Sequence, residues 1–71
     1  MKFILKGSDW EDFREFCYCA GISDYSEFDG MEIDKEFSRQ IVEDIKASSH
    51  CIDELNESAI MNVLSQLEGY Q

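Results

Sequence analysis

The sequence predicts a small α+β domain in which three helices cover a small antiparallel sheet, in the order β-α-β-β-α-α. Three observations indicate this fold. The chain opens with a short apolar run, an Asp-Gly dipeptide separates two segments of alternating polarity, and three later stretches repeat apolar residues at helical spacing. With 71 residues the chain has room for one domain, which we take as residues 1–71.

The N-terminal strand and the first helix are predicted from local signals. Phe3, Ile4 and Leu5 lie between two lysines and form the strand, which Gly7 ends. Ser8 then opens a helix, because Ser8 and Glu11 have the spacing of a capping box. Gly21 is the predicted C-terminal cap. The core-facing residues of this helix are Trp10, Phe13, Phe16 or Cys17, and Ala20.

A β-hairpin is predicted between the first two helices. Tyr25–Phe28 and Met31–Asp34 flank Asp29-Gly30, which is a strong two-residue turn signal. The N-terminal strand and this hairpin together form the predicted sheet. Its two faces differ in polarity, with Phe28, Met31 and Ile33 on one side and Glu27, Glu32 and Asp34 on the other. An irregular loop is the alternative, because acidic residues have low strand propensity.

The C-terminal half is predicted to be helical. Phe37, Ile41 and Ile45 mark the apolar stripe of a helix over Lys35–Ala47. The last helix is predicted to have Asn56 as its N-cap, with Gly69 at its end. A hydrophobic staple would join Leu55 to Ile60 at its start. A continuous helix from residue 51 fits the apolar spacing as well, so residues 51–68 form either one helix or two.

Negative charge is the most informative feature of the composition. Sixteen acids against six bases give a net charge of −10, and residues 9–36 alone hold ten acids and two bases. Such a chain repels nucleic acid and anionic membranes and attracts basic protein surfaces. We therefore expect its partner to be the basic surface of a nucleic-acid-binding protein, with no direct nucleic-acid binding and no membrane contact. A surface that only keeps the protein soluble is the alternative.

The acids of the first helix and of the hairpin are the predicted binding residues. We expect them to form one acidic face, with two tyrosines as interface anchors, although tyrosine packs equally well at the edge of a core. The predicted set is Asp9, Asp12, Glu15, Tyr18, Tyr25, Glu27, Asp29, Glu32 and Asp34.

Catalytic and metal chemistry find little support in the sequence. Residues 25–36 align partly with a calcium-binding EF-hand loop, but Tyr25 occupies the first ligand position, where an aspartate is needed. Cys17, Cys19, His50 and Cys51 lack the spacing of a zinc site. One histidine and a short chain leave no evident catalytic constellation. We predict no enzyme activity and no cofactor.

In size, charge and layout the chain resembles the small acidic proteins with which phages and mobile elements disarm host defences, including anti-CRISPR proteins and DNA mimics. The resemblance implies an inhibitor or regulator that occupies a positively charged surface without turnover. Three cysteines cannot all join a disulfide framework, and the N-terminal apolar segment is too short for a signal peptide, so we expect a cytoplasmic location, in the host cell if a phage encodes the protein. The alternative is a small adaptor or assembly protein, as a monomer or a homodimer, that uses an apolar face of the last helix through Ile60, Met61 and Leu64.

Overall fold

Three α-helices and two short 3-10 turns make up the fold. The computed structural model describes residues 1–70, with α1 at Ser8–Ala20, α2 at Lys35–Ala47 and α3 at Glu57–Tyr70. The 3-10 turns lie at Tyr25–Phe28 and Ser49–Cys51. Within residues 1–70 the only β-type pairing is one isolated antiparallel bridge between Lys2 and Glu32. The predicted α+β class is therefore wrong, because the structure is all-helical.

The first strand of the predicted hairpin is replaced by a 3-10 turn. The Asp24 carboxylate caps this turn, accepting hydrogen bonds from the Ser26 hydroxyl and, at 3.2 Å, from the Ser26 N–H. Both Tyr25 and Ser26 are buried, so two consecutive side chains point inward. A strand cannot achieve this, because its successive side chains point to opposite faces. The bonds from Ser26 to the Asp24 side chain stabilise a 3-10 turn where the Asp29-Gly30 dipeptide predicted a hairpin strand.

The N-terminal segment pairs instead with the residues that follow the turn. The Phe3 N–H donates to the Met31 carbonyl at 2.9 Å, and the Gly30 N–H donates to the Phe3 carbonyl at 2.6 Å. The Ile33 N–H donates to the Met1 carbonyl at 2.9 Å. The segment is thus extended and bonded on one side, but the pairing is too short to make a sheet. It places Phe3 and Leu5 in the core.

Helix ends are set partly by the predicted residues. α2 has the predicted bounds, and its N-cap Asp34 accepts a hydrogen bond from the Phe37 N–H at 2.7 Å. Gly21 ends α1 in the left-handed region at φ 70°, as predicted. The predicted capping box of α1 is wrong, because Gly7 is the N-cap and no side chain bonds there.

The C-terminal half contains two separate elements rather than one continuous helix. A 3-10 turn ends at Cys51, and α3 begins at Glu57. Gly69 lies inside α3, one residue before its end, so it does not terminate the helix. The predicted staple is wrong as well, since Leu55 is 86 % exposed while Ile60 is fully buried.

The core lies where the three helices meet the N-terminal segment. Its largest fully buried side chains are Phe3, Phe13, Phe16, Ile41, Ile45, Ile60 and Leu67. Two polar side chains fasten α3 from within. Ser38 of α2 donates from its hydroxyl to the Leu67 carbonyl at 3.1 Å, and Gln66 bonds both backbone groups of Ile4. Helix α3 therefore contacts α1, α2 and the N-terminal segment and holds them in place.

Candidate acidic interaction surface

The predicted acids divide into two groups on different sides of α1. Trp10 and Arg14 face the first 3-10 turn, where the Trp10 indole N–H donates to the Ser26 carbonyl at 3.2 Å and the Arg14 Nε lies 3.7 Å from the Asp24 carboxylate. Helical residues advance about 100° each, so Asp12 lies roughly 160° around the axis from Trp10. The acids of α1 and those of the 24–34 loop therefore do not form one uninterrupted face.

Three of the four loop acids that were predicted to bind a partner already have partners within the fold. Asp29 accepts a hydrogen bond from the Leu5 N–H at 2.8 Å, and Asp34 caps α2. The Glu32 carboxylate lies 3.3 Å from the N-terminal amine. Glu27 is exposed in the first 3-10 turn. These contacts stabilise the loop against the rest of the fold. Asp29, Glu32 and Asp34 are therefore less available to a partner.

Asp9 lies at the start of α1, on its edge toward α3. It is half-buried, and its carboxylate accepts a hydrogen bond from the Asn62 side chain at 3.2 Å. This bond joins two helices that already pack together. Asp9 therefore belongs to the α1–α3 contact more than to the open surface.

The remaining predicted acids of α1, Asp12 and Glu15, line a shallow groove that we call the acidic groove. Its α1 wall is formed by Asp12, Glu15 and Cys19, and its other wall by Cys51, Asp53 and Leu55. The groove encloses about 100 Å³, and Phe16 lies at its base. Its lining includes three carboxylates and no basic side chain. None of the three forms an ion pair within residues 1–70, so their charge is uncompensated.

Leu55 is the most exposed of the large apolar side chains, at 86 %. Its position is held by a bonded turn. The Asp53 carboxylate accepts from the N–H groups of Leu55 and Asn56 at 2.8 and 3.1 Å, and the Asn56 side chain accepts from the Asp53 N–H at 2.9 Å. The same Asn56 amide donates to the Cys51 carbonyl at 3.2 Å. The turn therefore presents an apolar side chain to solvent beside the acidic groove.

The two predicted tyrosine anchors have opposite environments. Tyr18 is 69 % exposed on α1, and the Arg14 guanidinium lies 5.9 Å from its ring and 5.4 Å from the Trp10 ring. Tyr25 is only 2 % exposed, and its hydroxyl donates to the Asp44 carboxylate. Of the two interpretations of Tyr25, packing is the correct one, so it leaves the binding surface. Tyr18 remains available to a partner.

The three free cysteines differ in burial. Cys17 is fully buried, Cys51 is half-buried and Cys19 is exposed. Burial, with a smaller contribution from the Asp24 carboxylate, raises the pKa of the Cys17 thiol to about 11. Burial and the hydrogen bond to Asp44 also raise the pKa of Tyr25 above its ordinary value. Within residues 1–70 no group of three or more histidine, cysteine, aspartate or glutamate side chains is placed to hold a metal ion.

Sequence reasoning missed the second wall of the groove. Asp53 and Leu55 were expected near the start of the last helix, with Leu55 packed against Ile60. The available signal was that Leu55 is the only apolar residue in the stretch 53–58, whose other five residues are polar. An isolated apolar side chain among turn-forming residues has no stripe to join and is left at the surface.

Most of the apolar face of α3 that the alternative function needs is buried in the core. Ile60 is fully buried and Leu64 is 9 % exposed, and both pack inside the hydrophobic cluster. Met61 alone of the three expected contact residues is exposed, at 54 %. The outer surface of α3 therefore offers one apolar side chain rather than a stripe.

Comparison with known proteins yields no significant match, whether to protein-family models, to curated protein sequences or to solved structures. None of the helices within residues 1–70 is both long enough and apolar enough to cross a membrane.

Proposed function

We propose that this protein is an acidic binding protein that inhibits or regulates a partner by covering the positively charged surface with which the partner holds nucleic acid. The observation that carries the proposal is the acidic groove, where Asp12, Glu15 and Asp53 come together without a cation to neutralise them. Asp12 and Glu15 have neither an ion pair nor a hydrogen bond within residues 1–70, and Asp53, which holds the turn through Oδ1 alone, retains Oδ2, so all three can pair with lysine and arginine. Their repulsion in the free protein is relieved when a basic surface covers them.

The proposed surface differs from the predicted one. It consists of the outer side of α1 and the turn that faces it, with Asp12, Glu15, Tyr18, Asp53 and Leu55 as its principal contacts. Tyr18 supplies the exposed aromatic ring that interfaces favour, and the carboxylates supply long-range attraction. The loop acids contribute to the overall field without direct contact. Association should therefore be fast at low ionic strength and weaken as salt screens the charges.

The test is affinity capture from a cell lysate at low salt with elution by a salt gradient. A basic nucleic-acid-binding protein is expected to elute at moderate salt, and its own DNA or RNA should then compete with the acidic protein for it. Retention of neutral or acidic proteins only, or a captured protein that binds nucleic acid and this chain simultaneously, would contradict the proposal.

Matched double variants locate the contact. Glu15→Gln with Asp53→Asn removes two groove charges and retains the side-chain shapes, including the oxygen of residue 53 that holds the turn. Glu36→Gln with Glu43→Gln removes the same charge from the exposed surface of α2. We expect the groove variant to weaken binding at least tenfold and the α2 variant to weaken it no more than about twofold, since a hydrogen bond to a charged group contributes about 1.5–3 kcal/mol. Equal losses would place the effect in net charge alone.

A further inference from the structure

We infer that the acidic groove receives a basic segment with an apolar anchor, in which one aliphatic side chain enters beside Leu55 while neighbouring lysine or arginine side chains meet Asp12, Glu15 and Asp53. This inference rests on the proposed function and narrows it. It requires the partner's surface to be basic and apolar at once, whereas a purely electrostatic imitation of nucleic acid requires only positive charge.

The size and lining of the groove fit one aliphatic side chain. Its volume is about 100 Å³, and an apolar cavity of about 150 Å³ already admits benzene. Phe16 lies at the base of the groove and the thiols of Cys19 and Cys51 lie on its two walls, so part of its lining is apolar. An aliphatic group that enters removes its own surface and that of Leu55 from water together.

The carboxylates set the charge of the residues that flank the anchor. Asp12 and Glu15 stand on one wall and Asp53 on the other, so a segment lying in the groove has acids on both sides. An acidic or neutral segment would leave these charges desolvated without partners, which is strongly unfavourable. Charge complementarity thus selects lysine or arginine next to the apolar anchor.

The turn that carries Leu55 is ordered before any partner arrives. Four hydrogen bonds among Cys51, Asp53, Leu55 and Asn56 hold it, so Leu55 does not depend on binding for its position. A preformed contact loses little conformational entropy on association. Leu55 is 86 % exposed on a turn whose backbone is already ordered, so its side chain is open to a partner and contributes little to the core.

A second copy of this chain fits the groove poorly. The net charge is −10, so two copies repel each other at long range. The basic residues nearest to one another in sequence are the pairs Lys2/Lys6 and Lys35/Arg39, and no exposed large apolar side chain lies within either pair. A partner with its own basic, apolar-anchored segment satisfies both walls.

Two synthetic peptides test the inference against the ¹⁵N-labelled protein by NMR titration. One carries alternating arginine and leucine residues, and the other has the same arginines with serine in place of each leucine. We expect the arginine–leucine peptide to shift the amide signals of Phe16, Cys19 and Leu55 and to bind at least tenfold more tightly than the arginine–serine peptide. Its advantage should persist at salt concentrations that release the arginine–serine peptide.

Two variants separate a groove contact from general stickiness. Leu55→Ser should remove most of the difference between the peptides, whereas Met61→Ser, which alters another exposed apolar side chain outside the groove, should leave it unchanged. Because both residues are exposed, neither change threatens folding. Equal binding of the two peptides, or an equal effect of both variants, would overturn the anchored groove and leave the proposed function standing. Failure of both peptides to bind at low salt would overturn the proposed function as well.

Discussion

The side chain of Gln66 forms with Ile4 the two hydrogen bonds that a neighbouring strand would form. Its Oε1 accepts from the Ile4 N–H at 2.8 Å, and its Nε2 donates to the Ile4 carbonyl at 2.9 Å. The N-terminal segment is extended and bonded on its other side to residues 30–33. Gln66 therefore closes the free edge at Ile4, where an exposed backbone would otherwise invite pairing with another chain.

Removing this amide should destabilise the protein measurably. Gln66→Ala leaves two partly buried backbone groups without partners, so we expect the free energy of unfolding in urea to fall by about 1–3 kcal/mol. Asn62→Ala is the matched control one turn earlier in α3, because Asn62 is exposed and bonds the Asp9 side chain rather than backbone. Its effect should stay within about 0.5 kcal/mol. Equal losses for the two variants would show that the Ile4 bonds add nothing to stability.

Stability should decline at alkaline pH through Cys17. Its pKa is about 11 in the fold against 9.0 ordinarily, so between these values the unfolded chain releases a proton that the folded chain keeps. The stabilisation is complete below pH 9.0 and is lost as pH rises to about 11. The expected loss is roughly 2 kcal/mol, and the raised pKa of Tyr25 acts in the same direction.

Unfolding in urea at several pH values between 7 and 11 measures this effect. Cys17→Ala should flatten the alkaline decline even though it removes a buried sulfur and lowers stability at pH 7. Cys19→Ala, at an exposed position in the same helix, should retain the full decline. A decline that is identical in all three proteins would show that Cys17 ionises equally in the folded and unfolded chains.

Asp34 should matter as a helix cap more than as a charge. Asp34→Ala removes the acceptor for the Phe37 N–H and should destabilise the protein by about 1 kcal/mol, measured by thermal unfolding. Asp34→Asn keeps an oxygen that can cap the helix and should lose less than half as much. Partner binding should be the same for Asp34→Asn and the unaltered protein. If Asp34→Asn weakened binding as strongly as Glu15→Gln, the loop acids would have to be included in the interface.

The helices could be predicted because their signals are local. α2 has a regular apolar stripe and its predicted bounds are correct, although its N-cap Asp34 was assigned to the hairpin. A sheet was predicted where residues 1–70 have none, because the contacts that decide this part of the fold join residues far apart in sequence. Asp29 bonds Leu5 and Gln66 bonds Ile4, and nothing in the local pattern shows that these side chains take the places of strand neighbours.

The candidate surface was only partly accessible to sequence reasoning. The charge count identified α1 as acidic, and Asp12, Glu15 and Tyr18 remain in the proposed surface. The sequence could not show that α1 turns its two sides to different neighbours, which separates Asp12 and Glu15 from the loop acids. It also could not show that Asp53 and Leu55, more than thirty residues beyond α1, form the facing wall.

The closure of Ile4 by Gln66 also affects the order in which the protein assembles during synthesis. The two residues are 62 positions apart, so residues 1–5 leave the ribosome long before their partner in α3 has been made. Until then Phe3 and Leu5 have no complete core to pack into, although α1, which follows them, can already form its helical turns. The apolar residues of the N-terminal segment are therefore without part of their core until α3 has been made, and the fold closes only then.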